Sequence, residues 1–185
     1  MFQLDYEADI TILGASTIGV AAALAFVRQG FRVCLFDRAG PGEPHDAGPP
    51  QPVGALALRF LSSLDIGYNA YDEPQVKAWL FKDAKGEPIA DLIANDHKGE
   101  LPEQRFVNPD FLRQSMLSRL KGNSRFTLRS GHAAFDLQLD EGAAYVIGQT
   151  YDKRQFIVRS LFVIDTDEAL SVVNKTINAP IEALR

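Results

Sequence analysis

Cysteine is nearly missing from this chain. One thiol, Cys34, excludes any disulfide within the chain. Its place inside an apolar stretch marks it as a buried core residue. Histidine is almost as scarce. His45, His97 and His132 lie far apart with no metal-ligand spacing. Each reads as a surface or loop side chain, and no metal is expected. Long apolar runs are lacking too: Ile18–Val27 is about half of what a bilayer requires. No membrane span is therefore expected. No secretory leader is expected, since Asp5, Glu7 and Asp9 stand where a secretory signal carries positive charge. Positive charge is in deficit overall. A net charge of −5 gives no reason to expect nucleic acid or anionic membranes as partners. The one basic stretch, Arg113, Arg119, Lys121, Arg125 and Arg129, reads as a solvated helix end and strand. These absences point to a reducing, cytoplasmic setting.

What the chain does have is an apolar nucleus near its start. With 185 residues, 46% of them hydrophobic, it can bury a sizeable core as a single domain, residues 1–185. Residues Ala8 to Arg38 read as strand, glycine turn, helix and second strand, the parallel βαβ unit that binds dinucleotides at its first turn. Asp9–Leu13 is the first strand, Val20–Gln29 the helix and Phe31–Phe36 the second strand. Gly14 permits the sharp turn, and Gly30 stops the helix. Gly19 lets the helix approach the sheet. The first-turn amides suit a pyrophosphate. Asp37 follows Gly14 by 23 residues, where a carboxylate meets a ribose hydroxyl. The candidate cofactor-binding residues here are Gly14, Ser16, Thr17, Gly19, Asp37 and Arg38. Ser16 replaces the middle glycine of the usual G-x-G-x-x-G fingerprint and is expected to crowd the phosphates.

The rest of the chain alternates less regularly. Residues 39–52 hold five of the ten prolines and read as an extended loop. Val53–Leu64 is helix-compatible, with Gly67 as its stop. Val76–Lys82 and Ile89–Ile93 read as a strand pair around Lys85–Pro88, and Asn95–Glu100 as polar loop. Arg105–Val107 reads as extended. Asn108 then caps a helix that Pro109 opens and Gly122 ends. Phe126–Arg129 is a strand. Ala134–Leu139, Ala143–Gln149 and Gln155–Val158 follow as an antiparallel meander. Ser160–Ile164 is a last apolar strand, ending in Asp165, Thr166 and Asp167.

Four stretches resemble the FAD-binding part of flavoprotein aromatic hydroxylases, a monooxygenase family. They are GASTIGVAAALAFVRQGFRVCLFDR, ALALRFLSSLDIG, RFVNPDFLRQSMLSRL and RSLFVIDTDEALS. The resemblance implies an α/β fold with an FAD/NAD(P)-binding Rossmann-like parallel sheet and a small antiparallel β-meander. It implies FAD as cofactor and NAD(P)H as reductant of an active enzyme, and it adds Asp167 to the cofactor-binding residues. Departures accompany it. In the family's LVVGADGARS segment, Asp165 and Glu168 replace glycines and Leu170 replaces the arginine; Asp167, Ala169 and Ser171 are kept. Val53 lies near a position where the family commonly has arginine. The family's later Gly-Asp motif and most of its substrate-binding region would lie past Arg185.

Added carboxylates near a pyrophosphate repel it, so the expectation is weak FAD binding and little or no hydroxylase turnover. No catalytic acid or base is identified. A homodimer, or a partner protein, is expected to cover the surface that the substrate region would bury. Two alternatives stand beside this reading. One is a non-catalytic binding or regulatory module that has lost its cofactor. The other is an NAD(P)-linked reductase or epimerase, because ILGAS also resembles the opening of those families.

Overall fold

A computed structural model describes residues 4–43, 48–67, 69, 72–93, 104–166 and 172–177. In chain order the elements begin with β1 (Tyr6–Glu7), β2 (Ile10–Leu13), α1 (Thr17–Arg28) and β3 (Val33–Asp37). Next come β4 (Gln51–Gly54), α2 (Ala55–Ser63), β5 (Ala78–Lys82), β6 (Pro88–Ile93), β7 (Gln104–Val107) and α3 (Pro109–Leu120). The last are β8 (Phe126–Ser130), β9 (His132–Asp140), β10 (Ala143–Thr150), β11 (Gln155–Ser160), β12 (Phe162–Asp165) and α4 (Val172–Ile177). The chain divides into two compact units, one of residues 1–47 and 116–185, the other of residues 48–115.

The first unit is two sheets around one core. A parallel sheet runs β12-β2-β3-β8. A second sheet, β1-β11-β10-β9, holds the antiparallel meander, with β1 added parallel to β11. Every residue of β2 and β3 is buried, as expected of parallel strands covered on both faces. By the twofold alternation of a strand, Leu13, Cys34 and Phe36 point toward the meander. There they meet Leu137, Ala144, Val146, Phe156 and Val158. On α1, Val20, Ala23, Leu24 and Val27 form the buried stripe. At the start of β2, Asp9 accepts from the Arg32 backbone N–H at 2.7 Å and from its guanidinium at 2.8 Å, tying the two parallel strands at their amino ends. Those hydrogen bonds, led by the guanidinium's, hold the Asp9 carboxyl below its usual range.

The second unit is smaller. Strand β4 pairs antiparallel with β7, and β5 forms a hairpin with β6. Helix α2 buries Leu58 and Leu61. Asn108 caps α3 as its sequence indicates, its Oδ1 accepting from the Phe111 N–H at 3.1 Å.

Several boundaries differ from the sequence reading. Helix α1 starts at Thr17 rather than Val20, because Ser16 caps it. Val53 and Gly54 belong to β4, not to the following helix, because β7 supplies a partner strand. Ser160 closes β11, and β12 begins only at Phe162. Strand β1 and helix α4 carried no signal of their own. The Asn95–Glu100 loop and His97 lie outside the described residues, as does His45.

Burial of Cys34, opposed by a weaker pull from Arg129, pushes its thiol up to about 12 from an ordinary 9.0. The folded chain thus keeps a proton that the unfolded chain releases. This contribution to stability is complete below the unfolded value and is lost as pH rises toward the folded one. Native protein is therefore expected to resist thiol alkylation at neutral pH. Its denaturant midpoint should fall as pH rises above about 9, and Cys34→Ala should flatten that fall. An alkylation rate equal to that of the unfolded chain would contradict the burial.

Candidate functional site

The carboxyl ends of β2, β3 and β12 meet at one place, with β3 and β12 on opposite sides of β2. A crevice at such a reversal of strand order is where open α/β sheets bind ligands. Gly14 leaves β2 with φ +95°, a conformation that glycine alone adopts cheaply. Its N–H donates to the Phe36 carbonyl at 2.9 Å, so the turn remains tied to β3.

Ser16 is the N-cap of α1. It has extended backbone, and its Oγ accepts from the Gly19 N–H at 3.2 Å. The hydroxyl expected to crowd a phosphate thus occupies one of the amides that a phosphate would use. Ser16 Oγ also donates toward Thr166 Oγ1 at 3.4 Å. Thr166 follows β12, and its hydroxyl donates to the carbonyls of Leu13 and Gly14, at 3.0 and 2.9 Å. Its backbone N–H bonds to Leu13 as well, at 2.9 Å. Thr166 therefore clips the β2–α1 turn from 150 residues away in sequence. Sequence reasoning missed it. The signal was a hydroxyl side chain between two carboxylates directly after an apolar strand.

Gly19 is buried in the first turn of α1. A Cβ built there overlaps the Gly14 carbonyl oxygen and lies 2.9 Å from Thr166 Oγ1. Thr17 is the first helical residue. Asp37 ends β3 with 6% of its surface exposed, and its Oδ1 accepts from the Ala39 N–H at 3.1 Å. Arg38 lines a cavity of about 20 Å³ with Gly14, Phe36, His132 and Asp165. That is room for roughly one water molecule. Asp165 accepts from the Val173 N–H at 3.3 Å, capping α4. The structure thus gathers Gly14, Ser16, Thr17, Gly19, Asp37 and Arg38 around one turn and the adjacent strand end. Asp167, Glu168 and Leu170 lie outside the described residues.

His132 is not the surface residue its isolation suggested. It opens β9, half-buried, with its ring 5.8 Å from Phe36, 5.0 Å from Phe156 and 6.1 Å from Tyr6. Nδ1 lies 2.8 Å from the Ser130 carbonyl, which only accepts, so Nδ1 carries the proton. Nε2 lies 3.4 Å from the Tyr6 hydroxyl. The Arg129 guanidinium sits 4.4 Å above the Tyr6 ring centre, a cation–π contact.

No family model matches the sequence, and no curated protein matches it. Solved structures do. The flavin-dependent monooxygenase PieE, solved with FAD and substrate, superposes on 95% of this chain with a TM-score of 0.77 and 20% identity. The chain has the fold of the matching part of flavin-dependent monooxygenases. The OxyS anhydrotetracycline hydroxylase from Streptomyces rimosus superposes on 93% of the chain, with a TM-score of 0.72 and 22% identity. The p-nitrophenol 4-monooxygenase PnpA from Pseudomonas putida DLL-E4 covers the same share, with a TM-score of 0.72 and 14% identity. The chain spans only 33%, 34% and 44% of those proteins respectively. Among the described residues no group of three side chains could hold a metal ion, and no helix is long and apolar enough to cross a membrane.

Proposed function

We propose that this chain is a flavoprotein-monooxygenase-like FAD-binding module that keeps the adenosine end of the site and binds weakly. The observation that carries this is the β2–α1–β3 geometry. Gly14 turns the chain at φ +95°, Gly19 lets α1 pack directly against that turn, and the Asp37 carboxylate ends the neighbouring strand. These residues fit an adenine dinucleotide: Asp37 would hold the ribose hydroxyls, and the first turn of α1 would face the pyrophosphate. Bound FAD, reduced by NAD(P)H, would supply the oxygen chemistry of a hydroxylase.

Two features oppose tight binding. The Ser16 hydroxyl already bonds to the Gly19 N–H. The cavity beside Arg38 and His132 holds about one water, so these side chains must separate to admit a nucleotide. The antiparallel run β9–β11 followed by a return to the parallel sheet at β12 supports the flavoprotein reading over a reductase or epimerase. A homodimer or partner protein, and a cytoplasmic setting, belong to the same proposal.

Titrating FAD and then ADP by fluorescence quenching and competition tests this reading. The expected dissociation constant for FAD is above about 1 μM, with ADP competing. Asp37→Ala should weaken both ligands about tenfold, the loss of one charge-assisted hydrogen bond. Flavin retained through desalting, with nicotinamide oxidation coupled to a hydroxylated product, would establish a full enzyme instead. No competition by ADP would remove the adenosine site.

A further inference from the structure

The hydroxyls beside the β2–α1 turn have their protons fixed by their neighbours. Thr166 Oγ1 lies 3.0 and 2.9 Å from the Leu13 and Gly14 carbonyl oxygens, which only accept. The Thr166 proton is therefore committed to them. Its oxygen then accepts from Ser16, 3.4 Å away, and this turns the Ser16 proton toward Thr166. One Ser16 lone pair accepts from the Gly19 N–H at 3.2 Å. Ser16 is left with a second lone pair and no proton. A phosphate oxygen arriving at the start of α1 would meet an acceptor that cannot donate to it. It would also find the Gly19 amide taken. The surrounding charges point the same way. The basic side chain of α1 is Arg28, in its last turn, and Ile18 in the first turn is apolar and 71% exposed. Asp165 ends β12 opposite Leu13 and lines the small cavity with Gly14. Arg38, which lines it too, follows β3 on the side of Asp37.

Given the adenosine site on which this rests, we infer that the turn recognises a nucleoside and is indifferent to its phosphates, which the Ser16–Thr166 relay turns away. The ligand class is adenosine with a neutral 5′ substituent. FAD and ADP gain nothing here from their charged groups. Thr166 touches no ligand and acts through Ser16, as a positioning residue. Such a relay differs from crowding. A Ser16 that merely crowded the phosphate would do so whatever residue stood at 166. In the relay, Thr166→Val removes the acceptor, and the Ser16 proton becomes free to donate to a phosphate.

Calorimetric titration with adenosine and with ADP, free of divalent cations, tests this. For the parent the two dissociation constants should agree within about threefold. ADP should become about tenfold tighter than adenosine in Ser16→Gly, which keeps an acceptable N-cap, and likewise in Thr166→Val. A turn that was merely loosened would shift both ligands together, so their ratio isolates the relay. Thr166→Ser, which keeps the hydroxyl, should return the ratio to that of the parent. Where Thr166→Val does not fold, Thr166→Ala takes its place. ADP about tenfold tighter than adenosine in the parent, or a ratio unmoved by Ser16→Gly or by loss of the 166 hydroxyl, would overturn the relay and leave the adenosine site standing. Binding of neither ligand to the parent would overturn the site, and the relay's role with it.

Discussion

Gly19→Val is expected to cost about 3 kcal/mol or more of folding stability, the upper range for forcing bulk into a packed site. The first atom beyond Cα already collides with the Gly14 carbonyl oxygen, before the two valine methyls are added. Thr166 Oγ1, 2.9 Å from the built Cβ, backs the same spot. To relieve the clash α1 must lift off the sheet, losing the burial of Val20, Ala23, Leu24 and Val27. A useful control is Gly30→Ala. Gly30 has φ +92° with nothing near its would-be Cβ, so that change carries conformational strain alone, about 1 kcal/mol. Urea midpoints of the two variants separate the terms. A Gly19→Val protein as stable as its parent would falsify the close approach of α1 to the β2 turn. The loss should appear with or without nucleotide.

Phe36→Ala is expected to be comparably severe, about 3 to 5 kcal/mol. Phe36 is 1% exposed and belongs to the parallel sheet. Its ring lies on that of Phe156, from the meander, with centroids 5.0 Å apart and planes within 7°. Tyr6 stands edge-on at 6.0 Å, and His132 is tilted against the same ring. Removing the ring opens a void between the two sheets that neither can close without moving a strand. Phe36→Leu keeps most of the volume and should cost less than about 2 kcal/mol. Guanidinium unfolding followed by tyrosine fluorescence checks both. If alanine and leucine behaved alike, the packing of the sheets would not depend on this stack.

The βαβ unit was legible because its signals are local. Unbroken apolar strands and the glycines at the turn and the helix end act within a few residues of each other; the Ser16 cap, which starts the helix at Thr17, was not read. Asn108 was legible for the same reason, since its side chain bonds to an N–H three residues along. The meander was legible from its turns, at Glu141-Gly142 and Tyr151–Arg154. What stayed hidden depends on distant partners. Strand β1 is two residues long and exists because Tyr6 and Glu7 lie beside Val158 and Arg159. His132 looked like a lone polar residue; its aromatic neighbours arrive from β1, β3 and β11. Thr166 looked like a strand end, and its role appears only when Gly14 and Gly19 are brought against it. In the candidate site, the positions of Gly14, Gly19 and Asp37 on the turn and the strand end were readable, while the clip that holds the turn was not.

The pairing of segments far apart in sequence has a kinetic consequence. Tyr6 pairs with Val158, and Ile10 with Phe162, so each sheet joins segments about 150 residues apart. Loops of that size close slowly, and contacts of such high order form late in folding. As the chain leaves the ribosome, β2 and β3 emerge early with their apolar faces exposed. They cannot gain β12 until about 150 further residues have been made. During that interval the nascent βαβ unit is an aggregation hazard and a substrate for chaperones.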